Sequence, residues 1–144
     1  VFIAHHTSAA VVTEEEFFTR GESGGTKASS AYQLALELIE QRYGPEDWNI
    51  YPFHFSDGDN WPSDNDTCLD LAGRLLGCSN LLGYGEIRQG SSTRQSSLMQ
   101  ALGRLESPKY VSVAISEKGA VHPALGRFFG PAHRREAQHA AARS

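Results

Sequence analysis

With 144 residues, 40% of them hydrophobic and 21% charged, the chain has the size and composition of one ordinary globular domain, which excludes a fibrous repeat or disorder throughout. Its 17 acidic and 13 basic residues give a net charge of −4, so no general attraction to nucleic acid or to an anionic membrane is expected. No apolar run reaches the ~20 residues a membrane helix needs and no charged-then-apolar leader opens the chain, which therefore reads as cytoplasmic.

Val1 to His5 and Ala9 to Val12 are β-prone runs around a polar His6-Thr7-Ser8, the pattern of a hairpin. Because Val1-Phe2-Ile3-Ala4 already reads as a buried strand and no initiator Met precedes it, further chain is expected upstream. Thr13 and Glu16 form a capping box that opens a short helix through Phe18, and Gly21 to Gly25 reads as a flexible polar loop. From Thr26, apolar residues at Ala28, Ala31, Ala35, Leu38 and Ile39 share one helical face until Gly44-Pro45. Trp48 to Phe55 is apolar on both parities, as in a strand covered on both faces, with Pro52 demanding an irregularity in it. A second helix is expected after Pro62-Ser63, with Asp64 and Asp66 in its first turn and Cys68, Leu71, Ala72, Leu75 and Leu76 as its stripe. Ser79 to Ile87 reads as a strand, Ser96 to Glu106 as a helix, Tyr110 to Ile115 as the last strand and Ala120 to Phe129 as a closing helix. The stretch 130–144, rich in Ala, Arg and His, has too little apolar surface to pack and is expected to be a disordered tail. Both cysteines, Cys68 and Cys78, are expected as free thiols. Strands alternating with helices imply an α/β, mostly parallel, doubly wound sheet over residues 1–129, with sites at the carboxyl ends of its strands.

Two loops at such ends stand out, Ser23-Gly24-Gly25-Thr26 and Ser56-Asp57-Gly58-Asp59-Asn60. The Thr26 hydroxyl and the Asp57 carboxylate are hard oxygen donors suited to Mg²⁺ or Mn²⁺, which keep several waters and need few protein ligands. Taken singly, Thr26 reads more readily as a helix N-cap and Asp57-Gly58 as a turn. They stand one βα repeat apart, which would bring both to the same sheet edge, with Glu86 a rim carboxylate there. A calcium loop fails because Gly58 is second rather than sixth and Cys68 occupies the twelfth position; a phosphate loop at Gly21 to Ala28 fails at Thr26 and Ala28. His5, His6 and His54 near strand ends offer, with Asp57, an alternative zinc set. Gly21-Glu22-Ser23-Gly24-Gly25 matches a nucleophile elbow, with Asp57 and His122 available in triad order, but the acidic helical stretch before it is not the strand an elbow requires. No catalytic constellation with the right context emerges.

Glu22-Ser23-Gly24-Gly25-Thr26, the run from Trp48 to Asn60 and Gly83-Tyr84-Gly85-Glu86 resemble the YhbH/YeaH family of bacterial stress and sporulation proteins, in the same order from Val1 to about Phe129. The run through Pro52 is more similar to the sporulation-associated YhbH branch. The resemblance implies a von Willebrand A-like domain with a metal-ion-dependent adhesion site, in which Thr26 and Asp57 match two ligands while the D-x-S-x-S motif that supplies the others is absent from these residues. It also implies that the first, central strand, between Val1–His5 and Trp48–Phe55, is not among them, which would leave two facing strand edges without partners. The expected function is metal-assisted protein binding alongside a PrkA-type serine protein kinase and a SpoVR-like protein. The alternatives are a serine hydrolase using Ser23 and a metal-free scaffold.

Overall fold

The computed structural model describes residues 1–19, 26–90 and 94–130. The expected hairpin forms from β1 (Phe2–His5) and β2 (Ala9–Val12), paired antiparallel from Phe2 opposite Val12 to His5 opposite Ala9. Helix α1 (Glu14–Thr19) begins with the expected capping box: Glu16 N–H donates to the Thr13 hydroxyl at 3.2 Å and Thr13 N–H donates to the Glu16 carboxylate at 2.8 Å. Helix α2 (Ser29–Arg42) starts three residues later than the apolar pattern suggests, because residues 26 to 28 are held in loop geometry by tertiary hydrogen bonds.

Strand β3 (Phe53–Ser56) is half as long as the expected strand from Trp48 to Phe55 and starts five residues later. Pro52 supplies the reason. It has no N–H for a ladder and stands immediately before the strand, contributing only its carbonyl, which accepts from Gly83 N–H at 3.0 Å. The expected burial on both faces fails too: Trp48, Tyr51 and Phe55 are exposed. Helix α3 (Asn65–Gly77), strand β4 (Leu82–Ile87), helix α4 (Ser97–Leu102), strand β5 (Tyr110–Ile115) and helix α5 (Val121–Phe129) follow in the expected order. Helix α4 is shorter than its pattern, closing where Gly103 N–H caps the Met99 carbonyl at 2.9 Å.

Strands β3, β4 and β5 form a parallel sheet in that order, while β1 and β2 form a separate two-stranded sheet. Leu82 and Tyr84 join the core shared by α2, α3 and α4, whereas Val111, Val113 and Ile115 pack with Ala124 and Phe128 of α5 in a second core. Helices thus cover both faces of the parallel sheet, as βαβ connections require. At Gly83 a Cβ would stand 2.6 Å from the Phe53 ring, so the missing side chain admits the aromatic cluster of Phe53, Phe128 and Phe129. Among the described residues, no helix is long and apolar enough to cross a membrane. Cys68 and Cys78 are free thiols, whereas the expected tail from Pro131 to Ser144 lies outside the described residues.

Candidate functional site at the carboxyl edge of the sheet

The loops after β1 and β3 meet at the start of α2. Lys27 N–H donates to the His6 carbonyl at 2.6 Å, Trp61 N–H to the Thr26 carbonyl at 3.1 Å, and Ala28 N–H to Asn60 Oδ1 at 2.8 Å. Asn60 Nδ2 in turn donates to Asn65 Oδ1 at 2.9 Å. Beneath them Asp64 is buried and accepts from Ser29 N–H at 3.0 Å, from the Ser29 hydroxyl at 2.5 Å and from the Cys68 thiol at 3.2 Å. Burial works to raise the Asp64 pKa, but the hydrogen bonds from Ser29, Cys68 and Asn60 outweigh it and hold the carboxyl below its ordinary value. The Cys68 thiol is pushed far up by burial, then by its hydrogen bond to Asp64 and by the Asp64 charge, so it is an unreactive donor. This buried cluster fixes the two candidate loops to each other.

On that platform Asp57 is exposed, and its Oδ1 accepts from Asp59 N–H at 2.9 Å in an Asx turn. The Ser56 hydroxyl accepts from Gly58 N–H at 3.0 Å and lies 3.2 Å from the Tyr84 hydroxyl. Glu86, expected as a solvated rim carboxylate, is instead 1% exposed. It is held by Arg88 Nε at 2.9 Å, by the Ser96 hydroxyl and by the Tyr84 hydroxyl at 3.3 Å. Burial, followed by the nearby Glu86 charge, drives the Tyr84 hydroxyl well above its ordinary pKa, although its Ser56 hydrogen bond opposes this. Gly58 crosses directly over that group at φ +84°, a backbone conformation that favours glycine. A polar cavity of about 730 Å³ opens there, lined by Asp57, Glu86, Arg88, Arg94, Ser96 and Gln100 among others.

The structure therefore brings the Thr26 and Asp57 loops together and places Glu86 beside Asp57, while Ser23, Gly24 and Gly25 lie outside the described residues. Thr26 and Asp57 are the right donor chemistry for a hard cation but an incomplete set. Among the described residues, no group of three or more His, Cys, Asp and Glu side chains is placed to hold a metal ion. The alternative zinc set separates: His5 Nε2 and His54 Nε2 are 3.0 Å apart, whereas His6 Nδ1 turns to the Thr7 hydroxyl at 3.0 Å. The segment before the Ser23 motif is helix α1, not the strand of a nucleophile elbow. His122 lies on α5.

What sequence reasoning missed is the pairing of Asp64 with Ser29 and the hydrogen-bond chain from the Tyr32 hydroxyl to His54 Nδ1 at 2.9 Å and on to His5. Their partners are 22 to 49 positions apart, and no periodicity marks them.

Residues 1–131 match the model of the family described as "Protein of unknown function (DUF444)", and the chain belongs to that family. Similar curated relatives include UPF0229 proteins of Shouchella clausii and Halalkalibacterium halodurans, each 56% identical over 128 residues, and one of Oceanobacillus iheyensis at 52%. Each alignment covers 89% of this chain and 32% of the relative, so the chain spans about a third of the length of the curated relatives it matches. No solved structure matches it.

Proposed function

We propose that this member of a bacterial family is part of a metal-assisted protein-binding module, in which a divalent cation at Thr26 and Asp57 engages a carboxylate of a partner protein. The observation that supports this reading is the joining of the two loops through the Trp61-to-Thr26 and Ala28-to-Asn60 hydrogen bonds, which brings the loops together at the amino end of α2. An Mg²⁺ or Mn²⁺ ion would supply positive charge for recognition, and it tolerates having few protein ligands. The chain's own contribution is an exposed carboxylate beside a buried hydrogen-bonded cluster, and further ligands are required to complete the site. A von Willebrand A-like architecture is in keeping with a parallel sheet covered on both faces and a hairpin set apart from it. The resemblance to the YhbH branch points to a cytoplasmic role with a PrkA-type serine protein kinase and a SpoVR-like protein.

The test is titration calorimetry with Mg²⁺ and Mn²⁺ on a polypeptide extended upstream to the length of the relatives, against its Asp57→Ala variant. Binding weakened at least tenfold by the substitution is expected. Equal affinity in the two would rule Asp57 out as a ligand.

A further inference from the structure

The register of β3 on β4 sets His54 opposite Tyr84 and Ser56 opposite Glu86, so Ser56, Tyr84 and Glu86 project from one face of the sheet. They link into one hydrogen-bond chain. Gly58 N–H reaches Ser56 Oγ at 3.0 Å, Ser56 Oγ lies 3.2 Å from Tyr84 Oη, and Tyr84 Oη lies 3.3 Å from Glu86 Oε2. The two ends fix its direction. An N–H can only donate and a carboxylate can only accept, so Tyr84 gives its single hydrogen to Glu86, Ser56 gives its own to Tyr84, and Gly58 donates to Ser56. Gly58 and Tyr84 are both buried, so water is a poor substitute for a missing link.

The other acceptor sites of Glu86 are filled from further along the chain. Arg88 Nε donates to Oε1 at 2.9 Å, and Ser96 donates through its N–H at 3.4 Å and through its hydroxyl. Ser96 is also the N-cap of α4, accepting from Met99 N–H at 3.0 Å. One buried carboxylate thus ties the Asp57 loop to the end of β4 and to the start of α4, and residues of all three line the cavity of about 730 Å³. Gly58 leaves little slack, because an added Cβ would stand 2.6 Å from Ser96 Cβ and 2.8 Å from Glu86 Oε2. A core tyrosine needs a partner for its hydroxyl in any fold, and Glu86 alone would satisfy it. The continuation through Ser56 to a loop N–H is what a satisfied core does not require. Asp57 precedes that N–H, and its Oδ1 is held by the next one, Asp59 N–H, at 2.9 Å.

We propose that Glu86 is the positioning residue of the Asp57 loop: through the Tyr84 and Ser56 hydroxyls it fixes Gly58 N–H, and with it the direction in which the Asp57 carboxylate faces the cavity. That this direction serves a bound cation rests on the reading above; the positioning itself does not.

Amide hydrogen exchange followed by NMR on this chain tests the positioning. Tyr84→Phe takes away a hydroxyl and leaves the ring. It should speed exchange at Gly58 and Asp59 roughly three- to tenfold, the factor that one neutral hydrogen bond supplies, while Gly83 and Val113 in the sheet keep the parental rate. Glu86→Gln should act in the same direction, and the double variant should exceed the larger single effect by less than about twofold, because both substitutions break one chain. Ser56→Ala should free Gly58 further, and Ser56→Thr, which keeps the hydroxyl, should stay near the parental rate. Titration of a polypeptide of the relatives' length with Mg²⁺ gives the second readout, where Tyr84→Phe should weaken binding at least threefold although it supplies no ligand. Binding that falls with Asp57→Ala but not with Tyr84→Phe would overturn the role of Glu86 and leave the cation reading intact. A parent that binds no Mg²⁺ would end the cation reading, and the exchange rates alone would then decide for or against Glu86. Unchanged exchange at Gly58 in Tyr84→Phe, additive effects in the double variant, or equal acceleration of the sheet amides would each overturn the positioning role.

Discussion

Mild acid should destabilise this chain before most of its carboxylates protonate, because His54 is buried as a neutral imidazole. Its ring lies between Tyr32, His5 and Tyr84, with centroids 4.9 to 5.4 Å away, and burial followed by repulsion from His5 lowers its pKa from 6.5 to about 3. His5 is shifted in the same direction by burial and by His6. Since the folded pKa lies below the unfolded one, the unfolded chain takes up a proton that the folded chain refuses. The stability contributed by neutral His54 is thus present in full above pH 6.5 and declines as the pH falls toward 3. At pH 5, 1.5 units below the ordinary value, one such histidine removes about 2 kcal/mol, at ~1.4 kcal/mol per unit. That is a large part of a domain stability of ~5–15 kcal/mol. Urea denaturation at pH 7 and pH 5 measures the loss directly. His54→Gln, whose amide can still meet the Tyr32 hydroxyl, should be less stable at pH 7 but lose about 2 kcal/mol less than the parent between the two pH values. A variant with the parental pH slope would refute the assignment of that slope to His54.

Asp64→Ala strands the Ser29 N–H and hydroxyl in the buried cluster and should cost about 3–5 kcal/mol by urea denaturation, with Asp64→Asn costing less because one acceptor oxygen remains. The Asp64 carboxyl is held below its ordinary pKa, so its contribution is present above pH 3.8 and is lost as the pH falls through the folded value; Asp64→Asn should lack this acid loss. Gly58→Ala combines a positive φ with a Cβ 2.6 Å from Ser96 Cβ and 2.8 Å from Glu86 Oε2, and should cost about 2–4 kcal/mol in thermal melts. Gly90→Ala is the control, with φ +68° but nothing within 4 Å, and should cost only about 1 kcal/mol; equal losses at the two sites would show that contact with Glu86 and Ser96 is not what constrains Gly58.

The amino-acid sequence by itself determined the kinds of element and their order. The capping box at Thr13 and Glu16, the apolar stripe of α3 and the run from Tyr110 to Ile115 are local signals, and local hydrogen bonding and side-chain periodicity suffice to realise them. It also marked the Thr26 and Asp57 loops, since strand carboxyl ends in α/β chains are legible from element order alone. Only the tertiary structure decided how those loops are held. Asp64 reads in sequence as a helix-start acid, yet packing against α2 makes it the buried acceptor of Ser29 and Cys68. Glu86 has the composition of a rim residue, but Ser96 and Arg88 close over it. His5 and His54 read in sequence as members of a zinc set with His6 and Asp57, yet they meet each other, with His54 buried and His5 partly so. Each outcome depends on at least one partner brought from 10 to 49 positions away along the chain, Ser29 for Asp64, Ser96 for Glu86 and His54 for His5. No local pattern carries that information, because the free energy of a buried polar group belongs to the environment that surrounds it.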